Sequence, residues 1–124
     1  MRTLLAFCVW LWAGLAAADC APDRADIRGP WGTARFSVEV ADTPQSRARG
    51  LMFRESLPAM AGMLFVYPEP VTARFWMENT PLPLDLIFFD PSGRVTRIIE
   101  NAEPFSRRPL LGGEGVQFVL EING

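Results

Sequence analysis

The sequence predicts a mostly β fold: a small β-sandwich or barrel of about six short strands with one short helix packed against it. Apolar residues alternate with polar ones over several short stretches, which is the periodicity of half-buried strands. Segments rich in Gly and Pro separate these stretches, and one segment has the spacing of an amphipathic helix. Short strands at this spacing favour a single small β domain.

The first strand is predicted over residues 33–40, where apolar residues at even positions alternate with polar residues at odd positions. A short helix follows, with Thr43 as its N-cap and Pro44 at its first position. A tight turn is predicted at Asp90–Gly93, and a long loop over residues 104–115. The remaining strands are predicted over residues 63–67, 71–77, 84–89, 95–101 and 116–122.

The N-terminus has the pattern of a secretory signal peptide over residues 1–18. Arg2 precedes an unbroken apolar run from Leu4 to Leu15, and small residues lead to a cleavage site after Ala18. The apolar run is too short for a membrane span of about 20 residues. The sequence therefore predicts a periplasmic or secreted protein that begins at Asp19 and has no stable membrane insertion after cleavage.

The predicted mature chain has a flexible lead segment over residues 19–32 and a single β domain over residues 33–124. The lead segment is polar and contains Pro and Gly, as linkers do. The last strand still alternates at Ile122, two residues before the end of the chain. We therefore expect a domain shortened at its C-terminus, with an open strand edge and an exposed apolar patch near residues 116–122.

Composition argues against several classes of function. The 12 basic residues are all arginine and stand against 14 acidic residues, for a formal net charge of −2. Without a basic cluster beyond Arg107 and Arg108, nucleic-acid binding lacks its electrostatic footprint. The sequence contains no histidine, which argues against histidine-assisted nucleophiles, zinc hydrolase sites and histidine-ligated haem. After signal cleavage Cys20 is the one remaining cysteine, so we expect no intramolecular disulfide, and intermolecular pairing stays open.

Methionines raise the alternative of a copper(I) site, since thioethers suit that ion. The residues concerned are Met52, Met60, Met63 and Met77. Met52 and Met77 fall on predicted core faces, where methionine is a routine gap filler, and no histidine or cysteine accompanies them within the domain. We therefore expect no metal and no cofactor.

The strand over residues 71–77 carries the main candidate for a binding surface. Strand parity places Arg74, Trp76 and Glu78 on one face, and Phe75 and Met77 on the other. A tryptophan between two charged residues is unusual for a core face, and it can stack a ligand ring or anchor a partner protein. In the alternative interpretation, Trp76 is covered by the Arg74 stem or by the helix.

Asp85 lies within an apolar strand that we expect to be buried on both faces. A buried carboxylate needs hydrogen-bond partners. The turn before the strand offers backbone amides with the Asn79 and Thr80 side chains, and the arginines within reach are Arg49, Arg54 and Arg74. The alternative makes Asp85 a general acid or base beside Glu78.

Three stretches resemble the exported bacterial and archaeal family known as domain of unknown function 192. They are RGLMFRESL at Arg49–Leu57, GMLFVYPEP at Gly62–Pro70 and FWMENTPLPLDLIFFD at Phe75–Asp90. The resemblance covers about Phe36 to Asn123 and implies a compact, mostly β domain with a short helix and no established activity. Its motifs include Arg49, Arg54, Trp76, Asn79, Thr80 and Asp85, without roles to carry over. Relatives usually run on after the last strand, which agrees with the expected C-terminal shortening.

The sequence thus favours a non-catalytic periplasmic binding or accessory module that uses the Trp76/Arg74 face. Its partner would be a small molecule or a periplasmic protein, and the oligomeric state stays open. Candidate binding residues are Arg49, Arg54, Arg74, Trp76, Glu78, Asn79 and Thr80, with Asp85 as a structural polar residue. The alternative is a small hydrolase or lyase that uses Glu78 and Asp85 with an arginine as an anion clamp.

Overall fold

A six-stranded sheet forms the body of the domain. The computed structural model describes residues 21–124. The predicted signal peptide, its cleavage site and Cys20 lie outside the described residues. The strands are β1 (Arg24–Gly29), β2 (Gly32–Ala41), β3 (Ala61–Phe75), β4 (Leu84–Phe89), β5 (Val95–Ala102) and β6 (Leu110–Asn123), and the helix α1 (Pro44–Arg49) follows β2. Within the described residues, no helix has the length and apolar character needed to cross a membrane.

The strands form one sheet in the order β1-β2-β3-β6-β4-β5, which curves into a half-barrel. The predicted mostly β fold with a short helix is confirmed, as a barrel-like single sheet rather than a sandwich. The β2–β3 pair is parallel, and every other neighbouring pair is antiparallel. A parallel pair requires a crossover connection. Helix α1 and residues 50–60 provide it and lie against the sheet.

The sheet has apolar residues on both faces at its centre. The buried apolar side chains form two clusters, a larger one that includes Phe65 and Val119 and a smaller one that includes Phe36 and Leu120. In β4, Leu86 and Phe88 belong to the larger cluster, whereas Ile87 belongs to the smaller one. The prediction that this strand is buried on both faces is therefore confirmed. The larger cluster also includes Leu51, directly after α1, so the crossover connection covers this face.

Helix α1 begins at Pro44, where the sequence predicts, and ends at Arg49, before Leu51 and Met52 of the predicted apolar pattern. The Thr43 hydroxyl accepts a hydrogen bond from the Ser46 amide, and the Ser46 hydroxyl accepts one from the Thr43 amide, which forms a capping box. Pro44 occupies the first turn. Its C-cap is Gly50, whose φ of 50° disfavours a side chain. A Cβ at Gly50 would also lie 3.2 Å from the Phe65 ring, so the chain turns tightly against the core here.

Two strands are longer than predicted. Segments 63–67 and 71–77 merge into β3 because register shifts between Val66 and Val71 absorb the proline-containing segment between them. Strand β6 begins at Leu110, so the predicted loop over residues 104–115 is extended strand in its second half. Gly112 permits this path, since a Cβ there would overlap the ring of buried Phe88.

The lead segment is not a flexible linker over residues 24–29. These residues form β1, which pairs with β2 from Arg24↔Ser37 to Gly29↔Gly32. Ala25 and Ile27 pack against the smaller apolar cluster. The charged residues of this segment gave it the composition of a linker. Ala25 and Ile27 lie at alternate positions, so both point to the same face of the sheet, and their packing stabilises the strand.

The expectation of an open edge at residues 116–122 is wrong. Strand β6 pairs with β3 along one edge and with β4 along the other. Val116, Val119 and Leu120 are fully buried, so this strand exposes no apolar patch of the kind expected. In the described part of the chain, the sheet instead ends at β1 and β5.

Candidate functional site

A cavity of about 250 Å³ lies between α1, β3 and β6, and we call it the arginine cavity. Its buried floor includes Phe65, Leu84 and Glu121. Exposed side chains form its rim. The polar and aromatic lining residues are Arg47, Arg49, Tyr67, Arg74, Phe75, Trp76, Thr80 and Glu121.

Helix α1 contributes two arginines from its last turn, Arg47 and Arg49. Arg47 Nη1 donates a hydrogen bond of 3.1 Å to the Val66 carbonyl oxygen, and its guanidinium lies 5.1 Å from the centre of the Tyr67 ring. The Arg49 guanidinium lies 5.9 Å from the centre of the Phe53 ring. Within residues 21–124 neither arginine forms an ion pair with a carboxylate. Within the described residues, no carboxylate therefore neutralises either positive charge.

Trp76 follows the last residue of β3 and is 47% exposed. The parity prediction for this segment is confirmed, because Phe75 is half-buried and Met77 is buried. The Met77 amide donates a hydrogen bond of 2.9 Å to the Ser106 carbonyl oxygen, which fixes the backbone beside Trp76. Arg74 and Trp76 also line a second cavity of about 360 Å³ with Arg107 and Pro109. The Trp76 side chain thus borders two adjoining concavities.

The turn at Asn79 and Thr80 ties two loops to the wall of the cavity. The Phe53 amide donates to the Asn79 carbonyl oxygen at 2.7 Å, and the Phe105 amide donates to the Thr80 carbonyl oxygen at 3.0 Å. Phe53, Asn79 and Phe105 all have φ between 54° and 67°, a left-handed conformation that costs free energy outside glycine. Thr80 is buried, and its hydroxyl donates to the Glu78 carbonyl oxygen at 3.0 Å. These bonds hold the loops around Trp76 in place.

Glu121 is the buried carboxyl group of the cavity. It pairs across the sheet with Met63 on β3 and Leu86 on β4, and it is 4% exposed. Burial raises the pKa of Glu121 to about 8. Within residues 21–124 it makes no hydrogen bond or ion pair, and no fully buried side-chain oxygen lacks a partner. Its carboxyl oxygens are therefore open to the cavity. With the raised pKa, the carboxyl group is protonated and neutral at pH 7.

Tyr67 adds a second protonated oxygen to the lining. Burial raises the pKa of Tyr67, with a smaller contribution of the same sign from Glu121, while Arg47 opposes it. The phenol therefore keeps its proton at physiological pH and remains a hydrogen-bond donor. The described lining combines arginines at the rim with neutral hydroxyl and carboxyl groups deeper inside.

Comparison with known proteins identifies the family. The model of the domain of unknown function 192 family, described as "Uncharacterized ACR", matches residues 27–124, which include every lining residue of the arginine cavity. The chain belongs to this family. The resemblance noted in the sequence is thereby confirmed, and no curated protein matches the chain.

Two solved structures are similar to this DUF192 chain. A protein of unknown function from Novosphingobium aromaticivorans is 42% identical, with a TM-score of 0.78 over 80% of this chain and 71% of that chain. A proposed transcription regulator from Sinorhizobium meliloti is 38% identical, with a TM-score of 0.79 over 82% of this chain and 79% of that chain. Both support the fold described above.

The DUF192 fold brings together four of the candidate residues predicted from the sequence and separates the others. Arg49, Arg74, Trp76 and Thr80 line the arginine cavity. Arg54 does not, because both of its terminal nitrogens donate to the Glu39 carboxylate at 2.8 Å.

Glu78 and Asn79 also lie outside the lining of the arginine cavity. The Glu78 carboxylate lies 3.4 Å from Arg107 Nε, and Asn79 contributes its backbone to the turn. Neither side chain therefore forms part of the cavity wall.

Asp85 has a structural contact, although with a different partner from the one predicted. Its carboxylate accepts a hydrogen bond of 2.7 Å from the Asn101 amide on β5. Asp85 is only partly buried, so the prediction of full burial is wrong. The prediction of a bond to the 79–84 turn or to an arginine is also wrong, because the partner is a backbone amide of β5. A register shift between Leu84 and Leu86 opens the β4–β5 ladder at this residue. The Asp85 carboxylate thus bonds to a β5 backbone amide at this register shift, and the residue does not line the arginine cavity.

Four of the polar and aromatic lining residues were not predicted as site residues: Arg47, Tyr67, Phe75 and Glu121. Alternation with Leu120 and Ile122 suggested a polar outer face for Glu121. Strand β6 instead lies between β3 and β4, and Val119 and Leu120 pack into apolar clusters on its two faces. The adjacent apolar residues Val119 and Leu120 were the signal, because neighbours in a strand point to opposite faces. Among residues 21–124, no cluster of three or more His, Cys, Asp or Glu side chains is placed to hold a metal ion.

Proposed function

We propose that this chain is an exported, non-catalytic binding module that holds a small anionic molecule in the arginine cavity. One observation carries the proposal. Three arginines that make no ion pair with a carboxylate within residues 21–124 converge with Trp76 on a single concave site. An anion is the ligand that complements this arrangement, since guanidinium groups bind carboxylates and phosphates with directed hydrogen bonds.

The charge pattern elsewhere in the domain strengthens this argument. Arg35 pairs with Asp26 at 3.0 Å, and Arg54 pairs with Glu39 at 2.8 Å. Four described arginines outside the cavity, Arg24, Arg35, Arg54 and Arg107, form ion pairs with carboxylates, whereas Arg47, Arg49 and Arg74 do not. Around the cavity the described carboxyl group is Glu121, whose raised pKa keeps it neutral. The rim therefore has an excess of positive charge.

The dimensions of the site favour a small molecule. At about 250 Å³ the cavity is slightly smaller than the 300–1,000 Å³ typical of pockets for drug-sized ligands. Tyr67, Phe75 and Trp76 offer aromatic surface against which a flat ligand can pack. The adjoining cavity on the Arg107 side leaves room for a longer substituent.

Binding is favoured over the hydrolase or lyase alternative. That alternative needs Glu78 and Asp85 together at a solvent-reached site with an arginine clamp. Glu78 contacts Arg107 and Asp85 contacts the Asn101 amide, and neither lines the arginine cavity. The alternative assigns general acid and base roles to these two carboxylates acting together, and their different contacts do not support that pairing.

Regulation of transcription is not carried over from the Sinorhizobium relative. The sequence has 12 basic against 14 acidic residues, and its cavity arginines surround a concavity rather than a flat basic face. DNA binding depends on extensive contact between basic side chains and phosphates. A small anionic ligand fits the charge distribution better.

Export rests on the signal-peptide pattern of residues 1–18. Mass spectrometry of the periplasmic fraction tests it directly. We expect a mature protein beginning at Asp19. An intact N-terminus retained in membranes would contradict this part of the proposal.

Equilibrium dialysis against a periplasmic small-molecule extract tests the binding function. We expect the wild type to enrich anionic compounds, and Arg74→Gln and Trp76→Ala to lose that enrichment. Arg54→Gln is the matched control, because it removes an arginine that pairs with Glu39 outside the cavity. Equal enrichment by all four proteins, or enrichment of cationic compounds, would overturn the proposal.

A further inference from the structure

We infer that the ligand carries a neutral hydrogen-bond acceptor, such as a carbonyl oxygen, at the end opposite its anionic group, and that Glu121 donates a hydrogen bond to it. This inference rests on the proposed function and names the class of ligand. The anionic end would lie among the rim arginines. The acceptor would reach the floor of the arginine cavity.

The position of Glu121 carries the inference. A carboxyl group lies between Met63 and Leu86 in an otherwise apolar layer, where an unpaired polar group is costly. Glu121 forms none of the hydrogen bonds or ion pairs found within residues 21–124. Since no fully enclosed side-chain oxygen there lacks a partner, its carboxyl oxygens are open to the cavity that it lines. Buried polar groups in native proteins are almost always hydrogen-bonded. A ligand in the cavity would provide the missing partner.

The surroundings determine which state of Glu121 meets the ligand. Charged and titratable groups face the cavity from α1, as Arg47 and Arg49, and from β3, as Tyr67 and Arg74. Strand β4 and the loop before it contribute the uncharged Leu84, Met77 and Thr80. No carboxylate other than that of Glu121 lines the described cavity, and none of the arginines pairs with it. The dominant influence on Glu121 is burial, which favours the protonated acid.

This arrangement selects among ligands by charge and by hydrogen bonding. A protonated carboxyl group donates to a carbonyl oxygen, whereas a carboxylate cannot. A ligand with an anion at both ends would place a second negative charge in the apolar floor, which is unfavourable. A ligand without any anion would leave the rim arginines unpaired. The favoured ligand is therefore a monoanion with a neutral acceptor at its far end and a flat body that packs on Trp76.

Four probes of matched shape test this inference by titration calorimetry at pH 6.0 and pH 9.5. They are 4-acetylbenzoate, 4-isopropylbenzoate, terephthalate and 4-methylacetophenone. At pH 6.0 we expect 4-acetylbenzoate to bind about tenfold more tightly than 4-isopropylbenzoate, the effect of one hydrogen bond. Terephthalate and 4-methylacetophenone should bind more weakly than 4-acetylbenzoate. At pH 9.5 the preference for the acetyl group should be lost, because Glu121 is then ionised.

Two variants sharpen the test. Glu121→Gln keeps an N–H donor at both pH values, so its preference for the acetyl probe should persist at pH 9.5. Glu114→Gln, which changes an exposed carboxylate on the same strand outside the cavity, should behave like the wild type. The wild-type comparison at the two pH values remains decisive even if Glu121→Gln does not fold.

The outcomes separate this inference from the proposed function. If both benzoates bind equally well, or if the acetyl preference is unchanged at pH 9.5 in the wild type, the role of Glu121 is overturned while anion binding stands. If 4-methylacetophenone binds as tightly as 4-acetylbenzoate, or no anionic probe binds, both the ligand class and the proposed anion site are overturned.

Discussion

Met63 and Glu121 face each other across the β3–β6 ladder, so a carboxyl group lies within the larger apolar cluster of the domain. Met63 is 7% exposed and Glu121 is 4% exposed. The low polarity of this layer disfavours the charged carboxylate. The fold therefore keeps an ionisable group in its neutral form next to a cavity rimmed with arginines.

The stability of the protein should fall as pH rises through the neutral range. Burial raises the pKa of Glu121 to about 8 from the value of 4.5 for an ordinary glutamate. Between these values the folded protein binds more protons than the unfolded chain, so the stabilising contribution is complete below pH 4.5 and is lost by about pH 8. Urea unfolding at several pH values should show a loss approaching about 1.4 kcal/mol per pH unit in this window.

The Glu121→Gln variant provides the comparison for this pH dependence. Its side chain is close in size and does not ionise, so its free energy of unfolding should vary much less between pH 5 and 8. Glu78→Gln should keep the wild-type slope. Lowered pKa values at Asp26, Glu39 and Asp90 act in the opposite direction, but they matter only at more acidic pH. Equal slopes for wild type and Glu121→Gln would show that Glu121 is ionised in the folded state.

Features that depend on a few neighbouring residues were predictable from the sequence. Strand parity placed Trp76 on an exposed face, and the Thr43–Pro44 pair marked the start of α1. The environment of Glu121 was not predictable in this way, because it depends on which strands flank β6. The same non-local dependence explains Asp85, whose partner Asn101 is 16 residues away on β5. Local pattern sets the faces of a strand, but only the strand order shows which faces are covered.

Replacing Asp85 with Ala should destabilise the protein by about 1–2 kcal/mol, the effect of removing one acceptor from a backbone amide. The loss should be smaller than the 3–5 kcal/mol that follows from breaking a buried ion pair, because Asp85 is partly exposed and bonds to the Asn101 amide. Asp85→Asn retains an acceptor oxygen and should recover most of the loss. Chemical denaturation of the three proteins provides the measurement, and a loss above 3 kcal/mol would indicate a partner beyond Asn101.

Removal of the N-cap of α1 should weaken both stability and anion binding. Thr43→Ala removes the acceptor for the Ser46 amide and should cost about 1 kcal/mol. Arg47 and Arg49 lie in the last turn of this six-residue helix, so fraying of the helix would displace two rim charges. Thr43→Ser preserves the cap and should match the wild type in urea unfolding and in titration with 4-acetylbenzoate. Wild-type affinity in a destabilised Thr43→Ala protein would show that the arginines are positioned independently of the cap.

Trp76 should report directly on occupation of the arginine cavity. The side chain is 47% exposed and lies on the cavity wall, whereas Trp31 is 66% exposed and lies outside the lining. The sequence contains four tryptophans, so replacing Trp10, Trp12 and Trp31 with Phe leaves Trp76 as the single tryptophan, which can be excited selectively in the presence of Tyr67. Acrylamide should quench its fluorescence without ligand, because the ring is accessible to solvent. Saturating 4-acetylbenzoate should reduce that quenching, because a ligand packed on the ring excludes acrylamide.

A companion protein that keeps Trp31 alone should show no such protection. Equal quenching of Trp76 with and without bound probe would place the ligand away from this ring, and the arginines would then bind it without aromatic packing.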